Sequence, residues 1–355
     1  MIWCGRSPET ETNMRRSRMV RIYGTIGPAC RDRAILTEMF REGMDGVRLN
    51  LSHTSLEEAS DLIGACRDAA AGAGVTPELL IDMQGPELRV GALDEPLRLS
   101  EGDVLDLCDL PLPEAASKVI EGLEDGRDVL LDDGKILLRT ERCTEAEGPV
   151  RLRVVRGGLL ESRKSVAVPG CDAAAPAMTE RDREQIRRAK EFGVTAVMQP
   201  FVRGREDLLE VRSALDAAGC GDIRLLAKIE NMRGVEKIEE LIPQCDEIVI
   251  ARGDLGSAME LWELPSVQKR IAASCRRAGR DFMVVTQMLD SMMHRRVPTR
   301  AEVSDIYNAV LDGAASVMVT GETAAGEYPA DVIRYLQRTV RSAERDMAAG
   351  REVPH

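Results

Sequence analysis

Two hydrophobic periods alternate along the chain. Short β-branched and aliphatic runs give way to longer stretches in which apolar residues recur every three to four positions. The runs predict strands at 20–23, 46–51, 79–83, 196–198, 224–229, 247–251, 282–286 and 316–319. The stretches predict helices at 32–42, 56–71, 206–217, 234–241, 302–311 and 330–347. Two more are expected, one from a Thr179 N-cap through Glu191 and one ending near Gly279. Every strand but the third is followed directly by a helix. Between 96 and 169 the texture changes to short runs broken by turn signals, Ser-Glu-Gly-Asp at 100–103, Asp-Asp-Gly at 132–134 and Glu-Gly-Pro at 147–149, which reads as an all-β insertion. Eight strand–helix units with one insertion predict an α/β fold: a TIM (β/α)8 barrel with a small all-β lid domain inserted after the third strand. An open doubly wound sheet is the alternative, but no GxGxxG follows the first strand. The expected divisions are a disordered tail at 1–18, the barrel at 19–90 and 170–348, the lid at 91–169, and a C-terminal tail at 349–355.

Composition narrows the function. At 355 residues the chain holds about two domains of roughly 150 residues each. Lys and Arg number 48 against 60 Asp and Glu, a net charge of −12, which disfavours a nucleic-acid partner. Aromatic residues are 3%, too few for base-stacking platforms. Nine cysteines (4, 30, 66, 108, 143, 171, 220, 245, 275) form no CxxC pair, so a zinc ribbon is unsupported. Their odd number and the lack of a secretory apolar segment suit reduced thiols in the cytoplasm. No apolar run reaches the ~18 residues of a membrane span.

Polar residues gather where the strands end, the rim on which barrels of this kind carry their sites. They are Arg48-Leu49-Asn50-Leu51-Ser52-His53, the segment from Asp82 to Arg89, Lys228-Ile229-Glu230-Asn231, Ala251-Arg252-Gly253-Asp254, Thr286-Gln287 and Thr320-Gly321-Glu322-Thr323. Glu230 and Asp254, at the ends of adjacent strands, suit a divalent Mg²⁺ that keeps positions for substrate oxygens. Lys228 alternates with Glu230, so both point to one side. An ammonium beside such an ion suits a transferring phosphoryl group or an enolate oxygen. Arg48 and Arg89 are phosphate ligands. Asn50, Ser52 and Asp82 offer oxygens to a second, monovalent cation. Gly253 permits close approach of a ligand, and Thr286 offers a hydroxyl. Plainer readings stand beside these. Lys228–Glu230 fits a rim ion pair, Asn50 and Ser52 fit caps of the second helix, and His53 fits a polar loop. His294 and His355 have no constellation around them.

The stretches Thr25-Ile26-Gly27-Pro28, RLNLSH (48–53), GPELR (85–89), AKIEN (227–231), ARGDLG (251–256), TQML (286–289), PTRAE (298–302), NAVLDG (308–313) and GETAAGEYP (321–329) resemble the pyruvate kinase family, in its order. The resemblance implies phosphoryl transfer from phosphoenolpyruvate to ADP, giving pyruvate and ATP. It implies that Lys228 stabilises the phosphoryl group and the enolate, and that Arg48 holds the phosphate. Gly253, Asp254 and Thr286 contact the pyruvate moiety, and Thr286 or Thr320 is placed to relay a proton through water. Glu230 and Asp254 bind Mg²⁺ or Mn²⁺. Asn50, Ser52, Asp82 and the Met83 carbonyl bind K⁺. Asn50, His53, Arg89 and a lid cation, Arg163 or Lys164, face the nucleotide. A homo-oligomer through the barrel helices is the family expectation.

The sequence also departs from the family pattern. Met83-Gln84 replaces a usual Thr-Lys, Gln199-Pro200 a usual Ala-Ser, Thr320 a Ser, and Ala325 a Lys; the segment after ARGDLG, from Ser257 to Trp262, also differs. Glu87 favours K⁺ dependence, whereas Met83 and Gln84 point away from it. A chain ending soon after the eighth helix leaves no room for the family's C-terminal domain, so sugar-phosphate control of the usual kind is not expected. Two other readings stay open: a metal-dependent pyruvate-enolate lyase or aldolase, and a non-catalytic sensor on the same scaffold.

Overall fold

The structure, a computed structural model, describes residues 19–85, 88–132, 134–142, 150–168 and 176–350. The expected tail at 1–18, most of that at 349–355, the turn at 147–149, and Asp133, Glu87 and His355 lie outside the described residues. The chain begins β1 (Arg21–Thr25), α1 (Arg33–Arg41), β2 (Gly46–Asn50), α2 (Ser60–Gly72) and β3 (Glu78–Asp82). It then enters the insertion: β4 (Leu97–Leu99), β5 (Val104–Asp106), α3 (Glu114–Glu121), β6 (Asp128–Leu131), β7 (Ile136–Arg142), β8 (Val150–Arg156), β9 (Gly158–Leu160) and β10 (Val166–Ala167). It returns through α4 (Glu180–Arg188) to β11 (Ala196–Gln199), α5 (Arg205–Ala217), β12 (Arg224–Ile229), α6 (Met232–Glu236) and α7 (Ile238–Leu241). The last part is β13 (Glu247–Ala251), α8 (Arg252–Ser257), α9 (Leu264–Ala278), β14 (Asp281–Val285), α10 (Arg300–Leu311), β15 (Ser316–Val319), α11 (Gly321–Ala324) and α12 (Pro329–Ala348).

Eight strands close in the order β1-β2-β3-β11-β12-β13-β14-β15, the last pairing parallel with the first. Alternation along each strand splits the apolar residues between two cores. Tyr23, Leu80, Met198, Leu226, Val249, Met283 and Met318 fill the barrel interior. Their neighbours Ile22, Ile81, Val197, Leu225, Ile248 and Val317 face outward, in one core with helix residues such as Leu36, Leu208 and Ile333. The insertion has its own core around Val129, Leu138, Leu152 and Leu160. Its strands form a five-stranded sheet and a two-stranded one.

The insertion is β-rich rather than purely β, because α3 lies within it. Ala116 and Ile120, one helical turn apart, are fully buried in its core. Three other expected elements shift. The second helix begins at Ser60 rather than 56, and Leu56 instead donates its amide to Gln185 Oε1 at 2.7 Å. The stretch 234–241 falls in two short helices, α6 and α7. The helix expected to end near Gly279 is interrupted between α8 and α9. Asn50 and Ser52 do not cap α2, whose N-cap is Ala59.

The first residues of several strands meet at the base of the barrel. Arg21 lies 3.3 Å from Glu78 and 3.0 Å from Glu247, and Arg224 lies 3.1 Å from Glu247 and pairs with Glu78. Tyr23 donates to Glu78 at 2.9 Å, and Ser316 donates to Glu247. Burial pushes the Glu247 carboxyl above its ordinary range even though Arg21 draws it down. No described helix is long and apolar enough to cross a membrane.

Candidate active site

At the opposite, C-terminal end of the barrel the charges form a linked set. Residues 226, 228 and 230 share one side of β12 and its exit, so Lys228 sits above Leu226 of the barrel interior. Its ammonium lies 3.1 Å from Asp82 Oδ2 and 2.9 Å from Glu230 Oε1. Arg48, at the centre of β2, places Nη2 2.5 Å and Nε 3.0 Å from the same Asp82 oxygen and donates to the Thr25 hydroxyl at 3.1 Å. Two cations and two carboxylates thus form a neutral set, with Asp82 and Glu230 buried and Lys228 only 12% exposed. Burial alone would raise Asp82, but Lys228 and Arg48 outweigh it and hold the carboxyl below the usual range. Burial alone would lower Lys228, but Asp82 and Glu230 outweigh it and keep the ammonium charged.

The donor set fits cations. Asp82 Oδ1 is buried with no hydrogen-bond partner in the protein, which is costly unless something positive approaches. Asn50 stands in register with Asp82 across the β2–β3 pair, and its Oδ1 accepts the Ser52 amide at 3.1 Å. These oxygens, with the Met83 carbonyl beside them in the chain, have the neutral and singly anionic character that a monovalent cation takes. Glu230 Oε2 accepts the Phe201 amide at 2.8 Å, which fixes the carboxylate while leaving lone pairs. Asp254 lies exposed in the first turn of α8. Among the described residues no three His, Cys, Asp or Glu side chains cluster as a metal site. A divalent ion at Glu230 and Asp254 would therefore complete its shell with water or substrate oxygens.

Thr286 follows β14 with φ 78°, and Gln287 has φ 52°. Gly253 opens space for this turn, since a Cβ there would stand 2.9 Å from Thr286 Cγ2. Thr320 donates its amide to Glu322 Oε2 at 2.7 Å, and buried Glu322 also accepts the Leu289 amide at 3.1 Å.

The expected nucleotide side is more dispersed. His53 is exposed in the β2–α2 loop. Arg89 bridges to Ser165 at the foot of the insertion and donates to the Arg163 carbonyl at 2.8 Å. Lys164 already pairs with Asp132 at 3.1 Å and Glu161 at 3.2 Å, while Arg163 is exposed. His294, expected to stand alone, is solvent-facing and lies 3.0 Å from Glu327.

Three residues have roles that the sequence did not assign. Asp182 accepts the Gln84 and Gly85 amides at 2.8 and 3.0 Å and the Thr179 amide at 2.9 Å, joining both chain crossings of the insertion. Gln199 donates to the Ala177 carbonyl at 2.7 Å, and its Oε1 is buried without a partner. Arg252 contacts the Thr286 turn. Asp182 could have been found as the fourth residue of a Thr-x-x-Asp capping box; the other two carry no such local signal.

Fold and site together define a (β/α)8 barrel whose charged cluster sits on the rim where such barrels carry theirs. Residues 17–333 match the family model described as the barrel domain of pyruvate kinase. The chain is 37% identical over 335 residues to a pyruvate kinase of Geobacillus stearothermophilus, covering 92% of this chain and 57% of that one. It is 36% identical over 332 residues to one of Aeropyrum pernix, covering 93% and 72%. A third, from Methylorubrum extorquens, is 36% identical over 341 residues, covering 94% and 70%. The chain belongs to the pyruvate kinase family, and it spans a little over half the length of the first of these relatives.

Proposed function

We propose that this barrel transfers the phosphoryl group of phosphoenolpyruvate to ADP, forming pyruvate and ATP. The observation that carries the reading is the buried, neutral Arg48–Asp82–Lys228–Glu230 set with its unpartnered Asp82 oxygen. Such a set has no spare positive charge for an anionic phosphate, so substrate anions and cations must enter together. Mg²⁺ or Mn²⁺ at Glu230 and Asp254, and K⁺ at Asn50, Ser52, Asp82 and the Met83 carbonyl, fit that demand. Bound there, the divalent ion supplies Lewis-acid neutralisation of phosphate and enolate oxygens.

Arg48 holds the phosphoryl oxygens through its second guanidinium edge. The bond from phosphorus to the enol oxygen breaks as a bond to the terminal ADP oxygen forms, and negative charge remains on the enolate. The Lys228 ammonium lies beside that oxygen and stabilises the charge in a site that excludes water. Gly253 and Asp254 seat the pyruvate moiety, and the Thr286 hydroxyl, rather than Thr320, relays a proton from solvent, through water, to the methylene carbon, which discharges the enolate. Asn50, His53, Arg89 and Lys164 face the nucleotide, which requires Lys164 to exchange Asp132 or Glu161 for phosphate. The insertion, 91–169, acts as a lid that closes over the nucleotide and keeps water from the phosphoryl group. Glycolytic work in the cytoplasm, as a homo-oligomer, belongs to the same reading.

A pyruvate-forming assay with phosphoenolpyruvate, ADP and Mg²⁺, run in K⁺ and again in Na⁺, tests it. Turnover well above that of Lys228→Ala, and faster in K⁺, is expected. Turnover no greater than that variant's would overturn the reading. Phosphoenolpyruvate bound without turnover would favour a sensor.

A further inference from the structure

Among the described residues five non-glycines have positive φ: Asp132, Arg163, Phe201, Thr286 and Gln287. Thr286 and Gln287 stand out in being consecutive. A β-branched threonine at φ 78° is unfavourable on its own, and a second residue at 52° compounds the strain. Such a turn persists only where surrounding contacts hold it.

Arg252 makes those contacts. It is the first residue of α8, next to Gly253, and its side chain is 10% exposed. Nε and Nη2 donate to the Thr286 carbonyl at 3.2 and 2.9 Å. Nη2 also lies 3.3 Å from the Gln287 carbonyl and 3.0 Å from Met288 Sδ. Nη1 donates to Asp305 of α10 at 2.6 Å, which anchors the guanidinium from outside the site. Gly253 then leaves room for Thr286 Cγ2. One planar group therefore meets two successive carbonyls, an arrangement an ammonium cannot reproduce.

We propose that Arg252 is a positioning residue that locks the 286–287 turn in its left-handed form, and so presents the Thr286 hydroxyl to the barrel mouth. The hold on the turn stands on geometry; its effect on turnover rests on the role given to Thr286 above. A small displacement of a reacting group can cost as much as 10²-fold in rate.

The test uses Arg252→Gln, Asp305→Asn, Gln287→Gly and the Arg252→Gln/Gln287→Gly double variant, with folding of each checked by thermal unfolding. Amide exchange should rise at 286–289 in Arg252→Gln and, less, in Asp305→Asn, with the remaining strand amides unchanged. kcat should fall roughly 10- to 100-fold in Arg252→Gln, with a smaller change in KM for phosphoenolpyruvate. Glycine adopts positive φ unaided, so the double variant should recover part of the kcat that Arg252→Gln loses, and Gln287→Gly alone shows what the glycine costs by itself. Unchanged exchange at 286–289, a purely KM defect, or a double variant no better than Arg252→Gln would each overturn the proposal. Should the wild-type chain show no turnover, the phosphotransfer reading fails and the exchange measurement alone decides the clamp. If Arg252→Gln does not fold, Asp305→Asn decides by the same exchange measurement.

Discussion

Lys228 carries charge where water hardly reaches, and two carboxylates keep it there. Replacing it with methionine preserves bulk, leaves Asp82 with Arg48 as its one cation, and takes the ammonium from Glu230. Removing one partner of a buried pair costs about 3–5 kcal/mol, which urea unfolding of Lys228→Met will read. Turnover should fall by roughly 10³-fold, the scale of a lost transition-state donor. Asp82 gives a pH signature. Its folded value lies below the ordinary 3.8, so its ionised form contributes stability above that value and loses it as pH falls further. The stability gap between wild type and Asp82→Asn should therefore be constant near neutrality and narrow below about pH 3.8, followed by urea unfolding. Lys228, Glu230 and Asp82 were legible in the sequence because strand alternation at known ends says which side they face. Arg252 and Gln199 were not. Arg252 meets the Thr286 and Gln287 carbonyls and, 53 residues away, Asp305, and Gln199 meets the Ala177 and Pro200 carbonyls; a carbonyl has no letter in a sequence, and nothing local links position 252 to 305.

Among elements, the N-terminus of α4 does two jobs. Thr179 and Asp182 form a capping box, and the same carboxylate holds Gln84 and Gly85 as the chain leaves for the insertion. Gly85 has φ 62°, and a Cβ there would meet Pro200 at 2.4 Å, so the crossing is tightly built. Asp182→Ala loses the N3 half of the capping box and leaves three amides without their acceptor, at about 1–3 kcal/mol for each buried group left unpaired. Faster amide exchange at 84, 85 and 179, with exchange in β12–β15 unchanged, is the expected result. The Thr179 cap could be read from three neighbouring letters. The link to Gln84 could not, because 98 residues separate the partners. The α3 helix escaped for the opposite reason: its short Ala116–Ile120 repeat is too brief to stand out from the strands around it.

Over the whole molecule, the eight-unit repeat was the most legible feature, since each unit states its own period and the closed barrel needs all of them. The base network was invisible, because Arg21, Glu78, Arg224 and Glu247 stand at strand beginnings where a charge usually means a solvated end. Glu247→Ala should cost about 3–5 kcal/mol in thermal or urea unfolding, because it leaves two arginines to share the single carboxylate of Glu78. Its kcat should stay within about twofold of wild type at a permissive temperature, as expected for distant sites. The reason lies in the layer between. Tyr23, Leu80, Met198, Leu226, Val249 and Met283 form an apolar slab between two ion sets, each with two positive and two negative side chains. Each set cancels its own field, so little potential passes through the slab. The barrel is electrically two separate decks: the lower can be retuned for stability while the upper keeps the potential its substrates meet.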